Sequence, residues 1–250
     1  MQAIILAAGR GSRLGSLTAE QPKPLTVLAG KPLLEWQLAA LAKAGIGPVH
    51  LVSGYCADAL EPYGDSRLHN PQWANSNMVR SLLQADAQLA SAPTLICYGD
   101  IVYRAGIIQS LSTCPAPIAI TYDERWLTLW AERFEDPLSD AETFSQANGQ
   151  LMSIGEKTTD PAQVQGQYMG LLKFTPQGWA QVQTVLSELN SEQIDKLDMT
   201  SLLRALLERG VPVEAVAISG GWVEVDNPSD IELYERLAKQ GDWAHDWRHG

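Results

Sequence analysis

Short apolar runs alternate along the chain with stretches in which apolar residues recur at every third or fourth position. A short continuous apolar run is typical of a strand buried on both faces of a sheet. Such runs occupy residues 3–8, 49–53 and 94–98. Residues 32–44 and 76–89 have helical spacing, with Pro32 suited to a first helical position and Ser76 a candidate cap. Strands alternating with helices predict an α/β fold with a parallel sheet covered on both faces.

After Pro115 the pattern becomes less regular, although strands and helices are still predicted. Strands are expected at 118–122, 150–154, 169–174, 213–218 and 222–225. Helices are expected at 177–189, 199–207 and 228–238. We interpret this region as an inserted lid or substrate region that belongs to the same sheet. The predicted organisation is one domain over residues 1–240, composed of segments 1–114 and 115–240, with a tail at 241–250.

The chain is acidic, with a formal net charge of −11 over 250 residues. This charge argues against general binding to nucleic acid or to an anionic membrane. An anionic ligand would need a local basic site, and the N-terminal region offers one. Its basic residues, set against the single acid Glu20, are Arg10, Arg13, Lys23 and Lys31.

The cysteines favour a reducing compartment. Cys56, Cys97 and Cys114 have no metal-ligand spacing, and an odd number does not suit a disulfide framework. The first apolar run is too short for a signal peptide, and no run reaches membrane-spanning length. We therefore expect a cytoplasmic protein.

Residues 6–25, LAAGRGSRLGSLTAEQPKPL, follow the first predicted strand and contain glycines, arginines and a lysine. A dinucleotide fingerprint, G-x-G-x-x-G, fails because Leu14 stands where the third glycine is needed. The P-loop pattern fails as well, since no glycine pair leads into Gly-Lys-Ser/Thr. If the stretch holds phosphate, it does so in another way.

The residue types of this stretch suit a triphosphate. Gly9 and Gly11 would let backbone N–H groups approach phosphate oxygens closely. Arg13 can donate two parallel hydrogen bonds, and two flanking prolines restrict the backbone that carries Lys23. A tight turn without function is the alternative for the glycines taken alone.

The motifs L-A-A-G-x-G-S-R-L and P-K-P-L resemble the signature of nucleotidyltransferases that make nucleoside-diphosphate sugars and alcohols. Further matching segments are GY at 54–55, NSNMVRS at 75–81, YGDI at 98–101 and WVEVD at 222–226. Together they are most similar to the bacterial phosphocholine cytidylyltransferase branch. The resemblance implies a Rossmann-like three-layer αβα sandwich with a mostly parallel mixed sheet, the glycosyltransferase-A-like fold. It also implies that residues 1–114 bind nucleotide and that residues 115–240 bind acceptor and complete the sheet.

The resemblance implies a set of site residues. Lys23 and Arg13 are the expected catalytic cations. The expected nucleotide-binding residues are Leu6, Ala7, Ala8, Gly9, Gly11, Ser12, Arg13, Lys23, Tyr55, Asn77 and Gly99. The expected Mg²⁺ ligands are Asp100, Asp226 and Glu224. Capping or turn formation is the alternative role for Asp100, Asp226 and Asn77.

The acceptor site is predicted from aromatic residues with carboxylates nearby, which attract quaternary ammonium groups. Its candidates are Asp123, Trp126, Trp130, Tyr168 and Trp222. The alternative is a core role, because aromatics at helical spacing are more often buried than ligand-binding.

The expected reaction is Mg²⁺-dependent transfer of CMP from CTP to a small phosphomonoester or phosphonate, with release of pyrophosphate. Phosphocholine or a similar amino-alcohol phosphate leads among the acceptors. A sugar-1-phosphate enzyme using UTP or dTTP is the enzymatic alternative, although Asn75-Ser76-Asn77-Met78 and Gly155-Glu156-Lys157-Thr158 depart from its usual motifs. A non-catalytic nucleotide-binding regulator is the alternative of another class. We expect a monomer or homodimer without nucleic-acid or membrane partners.

Overall fold

The computed structural model describes residues 1–249. The strands are β1 (Gln2–Ala7), β2 (Val27–Leu28), β3 (Lys31–Pro32), β4 (Val49–Ser53), β5 (Ser66–His69), β6 (Thr94–Tyr98), β7 (Ile101–Tyr103), β8 (Ile118–Asp123), β9 (Glu142–Ala147), β10 (Gln150–Lys157), β11 (Gln167–Phe174), β12 (Glu214–Ile218) and β13 (Trp222–Glu224). The α-helices are α1 (Leu33–Lys43), α2 (Met78–Leu82), α3 (Asp86–Ser91), α4 (Ala105–Thr113), α5 (Trp126–Arg133), α6 (Pro176–Ser187), α7 (Ser191–Lys196), α8 (Met199–Glu208) and α9 (Pro228–Leu237). Short 3₁₀ turns, such as Ser12–Thr18 and Lys23–Leu25, lie between them.

A nine-stranded sheet in the order β5-β4-β1-β6-β11-β8-β12-β10-β9 forms the centre of the described chain. The first four strands in this order pair in parallel, and β12 is parallel to β8. β11 is antiparallel to both β6 and β8, and β10 is antiparallel to β12 and β9. Only β10 and β11 therefore run against the other strands of this sheet, which is mixed and mostly parallel.

Each face of the sheet packs against its own hydrophobic cluster. Along β1, Ala3 and Ile5 belong to one cluster, and Ile4 belongs to the other, because successive side chains of a strand point to opposite faces. The first cluster includes residues of α1, α4 and α5, and the second includes residues of α2, α6 and α8. The α/β fold with helices on both faces is therefore confirmed.

The segment 76–89 differs from the single helix predicted for it. It contains α2, a 3₁₀ turn at Leu83–Ala85 and then α3. The cap is Asn77 and not Ser76, because the Asn77 side-chain oxygen accepts a 2.8 Å hydrogen bond from the N–H of Met78. A shared apolar face across all three pieces produces helical spacing in the sequence without a continuous helix.

The tail after residue 240 packs back onto the domain as far as it is described. His245 and Trp247 are buried, and the ring of Trp247 meets that of Trp36 edge-on with centroids 6.1 Å apart. Within the described residues, none of the helices combines the length and apolar character needed to cross a membrane.

Candidate active site

A pocket opens where the parallel strands β1 and β6 end side by side. Leu6 pairs with Tyr98, so the chain that follows each strand, Ala8-Gly9 and Gly99-Asp100, leaves the sheet at one edge. In an open α/β sheet, ligands bind at this carboxyl edge. The residues that line this nucleotide pocket, as we call it, are Leu6, Ala7, Ala8, Gly9, Lys23, Pro24, Trp73, Ser76, Asn77, Met78, Ser81, Tyr98, Gly99 and Asp100.

Most of the residues expected to bind nucleotide lie in this lining, whereas Gly11, Ser12, Arg13 and Tyr55 do not. The Tyr55 hydroxyl donates a 2.5 Å hydrogen bond to the carbonyl oxygen of Ala19, outside the pocket. The sequence prediction did not include Trp73, Ser76 and Ser81 among the nucleotide-binding residues, although Ser76 and Ser81 lie in the matching segment at 75–81. The nucleotide contacts of the predicted residues stay predictions.

Gly11 determines how closely Lys23 approaches the turn after β1. Its φ is +68°, a left-handed conformation that favours glycine, and a Cβ built there would lie 2.8 Å from Cγ and Cδ of Lys23. The glycine spacing of the N-terminal motif thus leaves room for the lysine stem.

Lys23 lies between two carboxylates. Its Nζ is 2.7 Å from Oδ2 of Asp100 and 2.7 Å from Oδ1 of Asp226, and Arg13 Nη2 is also 2.7 Å from that Asp226 oxygen. Burial lowers the pKa of Lys23, but the two carboxylates outweigh it and raise the pKa to about 12. The ammonium therefore stays charged at neutral pH.

A short strand pair brings the two distant carboxylates together. β13 is antiparallel to β7, with Glu224 opposite Ile101. Asp100 directly precedes β7 and Asp226 follows β13, so the pairing places them at one end of this small sheet. The backbone pairing of β7 with β13 thus brings the two carboxylates close together.

Two carboxylates that converge on one cation suit Mg²⁺, which commonly takes one or two protein carboxylates together with substrate phosphates and water. Asp100 and Asp226 fit that pattern. Glu224, the third expected ligand, instead pairs with Nη1 of Arg133 at 2.5 Å. Within residues 1–249, no group of three or more His, Cys, Asp or Glu side chains has the arrangement of a metal-ligand set.

A second pocket lies beside the first, and Met78 and Tyr98 line both. The lining of this acceptor pocket, as we call it, also includes Arg13, Trp130, Asp140, Glu142, Lys157, Gln167, Tyr168, Asp198, Met199, Thr200, Glu224 and Asp226. Carboxylates outnumber cations in it. Burial raises the pKa of Asp140 and of Glu142, as expected where negative charges lack a full set of partners.

The expected acceptor residues divide between this pocket and the core. Trp130 and Tyr168 line the pocket, whereas Trp126 and Trp222 are buried and lie outside both linings. Asp123 is also buried, with its Oδ2 3.0 Å from Nε1 of Trp222 and 2.8 Å from Nε2 of His245. For Asp123, Trp126 and Trp222 the structure therefore replaces the predicted ligand contact with a packing role, because their polar atoms already bond within the core.

Comparison with known proteins finds a family match and relatives for this chain. The model of the MobA-like NTP transferase domain matches residues 3–162. CTP:phosphoglutamine cytidylyltransferase from Campylobacter jejuni is 34% identical over 249 residues, covering 93% of this chain and 98% of its own. Choline-phosphate cytidylyltransferase from Streptococcus pneumoniae is 36% identical over 96 residues, covering 37% of this chain and 42% of its own.

A solved structure of CTP:phosphocholine cytidylyltransferase from Streptococcus pneumoniae superposes with a TM-score of 0.70 at 20% identity, covering 95% of this chain and 98% of that one. At this identity the likeness concerns the fold. The family assignment rests instead on the match of the domain model to residues 3–162 and on the relative from Campylobacter jejuni, which is similar along almost its whole length. The chain belongs to the MobA-like NTP transferase domain family and is a nucleotidyltransferase.

Proposed function

We propose that this nucleotidyltransferase moves CMP from CTP onto the phosphate of a small acceptor that carries an amine, in a Mg²⁺-dependent reaction. The observation that carries the proposal is the meeting of Asp100, Asp226 and Lys23 where the two pockets adjoin. A triphosphate in the nucleotide pocket and a phosphorylated acceptor in the acceptor pocket would meet at this point.

The chemistry needs alignment and positive charge more than a base. An ionised phosphate oxygen of the acceptor attacks the α-phosphorus, a new P–O bond forms, and the bond to the β-phosphate breaks to release pyrophosphate. Lys23 and Arg13 are the cations that would meet charge developing on the α-phosphate. Asp100 and Asp226 would hold Mg²⁺, which neutralises triphosphate charge.

The choice of CTP is supported by the names of the cytidylyltransferase relatives, including one that matches almost its whole length. We infer the preference of this chain for cytosine from its sequence similarity to these relatives. The nucleotide pocket offers Trp73, Asn77 and Ser81 as candidate contacts for the base.

The acceptor's amine is inferred from the charge of the acceptor pocket. Asp140, Glu142 and Asp198 lie in its lining together with Lys157, and a cationic group would relieve their excess negative charge. Trp130 and Tyr168 add aromatic surface that suits an ammonium group. Phosphocholine, 2-aminoethylphosphonate and phosphoglutamine, the acceptors that the names of cytidylyltransferase relatives give, all carry an amine or ammonium group and a phosphate or phosphonate oxygen that can attack the α-phosphorus.

The test is pyrophosphate release by the purified protein with Mg²⁺ over a grid of substrates. CTP, UTP, dTTP, ATP and GTP are each paired with phosphocholine, phosphoethanolamine, 2-aminoethylphosphonate, phosphoglutamine, glucose-1-phosphate and N-acetylglucosamine-1-phosphate. We expect the highest kcat/KM with CTP and an amine-bearing acceptor. A sugar phosphate with UTP or dTTP at the top would make the acceptor proposal wrong. Nucleotide binding without turnover for any pair would instead favour the regulator.

A further inference from the structure

Arg133, the last residue of α5, is a charged residue that is not among the predicted site residues. Its guanidinium has no exposed surface, yet it lies among the acidic residues next to the acceptor pocket. Burying a cation is costly unless it is paired and hydrogen-bonded. The contacts that offset this cost lead directly to the candidate metal carboxylates.

The guanidinium contacts three carboxylates that follow one another along the chain. Its Nη1 is 2.5 Å from Oε1 of Glu224, its Nη2 is 3.5 Å from Oδ2 of Asp226, and its Nε is 3.2 Å from Oδ1 of Asp230. The rings of Trp130 and Phe134 lie 5.0 and 4.8 Å from its central carbon, within cation–π range. A single arginine thus contacts the end of β13, the loop that follows it and the first turn of α9.

The other oxygen of Asp230 fixes the backbone of that loop. Oδ2 of Asp230 accepts 2.8 Å hydrogen bonds from the N–H groups of Asp226 and Asn227. Arg133 holds Asp230, and Asp230 holds the main chain at Asp226. The arginine therefore acts on Asp226 by a direct charge contact and through this backbone anchor.

The two oxygens of Asp226 face different partners. Oδ1 meets Lys23 and Arg13 at 2.7 Å, whereas Oδ2 lies near Arg133. A guanidinium on one oxygen orients the carboxylate and leaves the other turned toward Lys23 and Asp100. The same guanidinium also pairs with Oε1 of Glu224, whereas Asp100 and Asp226 both pair with Lys23.

We propose that Arg133 is a positioning residue that sets the orientation of Asp226 toward the metal and keeps Glu224 out of the metal-ligand set. The proposal rests on the proposed Mg²⁺ role of Asp226. Arginine suits the task because its rigid, always-charged fork donates in three directions at once, which a lysine ammonium at the end of a flexible stem does not reproduce. Outer-shell partners of this kind commonly change metal affinity by about 10–100-fold.

The test measures binding of the Mn²⁺–CTP complex without acceptor, using the broadening of the Mn²⁺ EPR spectrum on binding. The variants are Arg133→Lys and Asp230→Asn; the second leaves the arginine in place and removes a charge from the backbone anchor. We expect Kd for Mn²⁺–CTP to rise by about tenfold or more in Arg133→Lys and less in Asp230→Asn. The Mg²⁺ concentration giving half-maximal turnover should rise in the same order.

Arg104→Lys is the control for general destabilisation, because Nε of Arg104 donates to the carbonyl oxygen of Asp246 and touches none of these carboxylates. If the Arg133 and Asp230 variants lose melting temperature like the control but keep wild-type Kd for Mn²⁺–CTP, Arg133 is only structural and the proposal is overturned. If the wild-type protein binds Mn²⁺–CTP no better than CTP without metal, the proposed metal site itself is wrong. That result is distinct from failure of the Arg133 proposal, in which wild type binds the metal complex and the variants bind it equally well.

Discussion

The N–H of Val225 donates a 2.9 Å hydrogen bond to the carbonyl oxygen of Asp100, joining the two chain segments that carry the candidate metal carboxylates. This contact is between backbone atoms and continues the pairing of β7 with β13. Replacing either carboxylate by an amide leaves it untouched. Such variants therefore test the charge of the site without disrupting the backbone pairing of β7 with β13.

Asp100→Asn and Asp226→Asn should each reduce turnover and raise the Mg²⁺ concentration needed for half-maximal activity. The physical reason is that each change removes one negative charge from the pair that converges on Lys23. Initial rates of pyrophosphate release across a Mg²⁺ titration measure both effects. Asp58→Asn, which changes an exposed carboxylate, is the matched control. An unaltered Mg²⁺ titration in Asp226→Asn would remove that residue from the metal site.

Lys23→Ala should lower kcat by about 10²–10³-fold, as expected for loss of one preorganised electrostatic contact to charge that develops in the transition state. CTP binding should weaken much less. Lys23→Gln should recover little, because it restores length without charge. Steady-state rates and a separate CTP titration distinguish the two effects. Lys239→Ala, at an exposed lysine, controls for loss of a surface charge. A raised KM with unchanged kcat would limit Lys23 to binding.

Asp198→Asn should raise KM for an amine-bearing acceptor by about tenfold, as expected for loss of one charge-assisted contact, while leaving KM for CTP nearly unchanged. Asp198 lines the acceptor pocket and also caps α8, where its Oδ1 accepts a 2.7 Å hydrogen bond from the N–H of Ser201. Asparagine is an equally good cap, so the substitution removes charge and keeps the helix start. Glu192→Gln, on the neighbouring exposed helix, is the control. Equal KM changes for a neutral acceptor would argue against recognition of the amine by charge.

Asp123→Asn should destabilise the fold near neutral pH by about 1–3 kcal/mol, the usual cost of disturbing a buried hydrogen-bond partner. Burial raises the pKa of Asp123, but hydrogen bonds from His245, Gly220 and Arg125 outweigh it and bring the pKa below its usual value. A lowered folded-state pKa means that the carboxylate stabilises the fold above its unfolded pKa of about 3.9 and ceases to do so as pH falls through the folded value.

Urea unfolding of wild type and Asp123→Asn at neutral pH and below pH 4 measures this effect. The difference in unfolding free energy should be largest at neutral pH and shrink in acid. A difference that does not depend on pH would mean that shape and hydrogen bonding, and not the charge of Asp123, account for the loss.

The convergence of Leu6, Gly9, Lys23 and Asp100 at one edge of the sheet could be predicted from sequence because its determinants are local. Leu6, Gly9 and Lys23 belong to one short motif that begins at the end of a recognisable buried strand. Asp100 likewise follows a strand whose bounds, Thr94–Tyr98, match the prediction. Continuous apolar runs identify strands reliably when the sheet is covered on both faces, as it is here.

The acceptor half could not be predicted in the same way because it is assembled from distant segments. Asp140, Glu142 and Asp198 belong to no motif and meet only after β9, β10 and α8 have packed. Arg133 lies in a segment for which the sequence predicts no element, and its burial depends on contacts with Glu224, Asp226 and Asp230, which are far along the chain. An aromatic residue suits either a core or an ammonium site, and the indole N–H groups of Trp126 and Trp222 donate to Val164 and Asp123 inside the protein.

The sharing of Lys23 between Asp100 and Asp226 also has a consequence for how the protein is made. During translation, Lys23 and Asp100 are synthesised well before β13 and the loop that contains Asp226. During that interval the lysine has only one of its two carboxylate partners, and strand β7 has no β13 to pair with. Translation that stops after residue 100 but before residue 226 therefore yields a polypeptide with the nucleotide motif but without the paired carboxylates. Such a product would carry the family signature and none of the proposed activity.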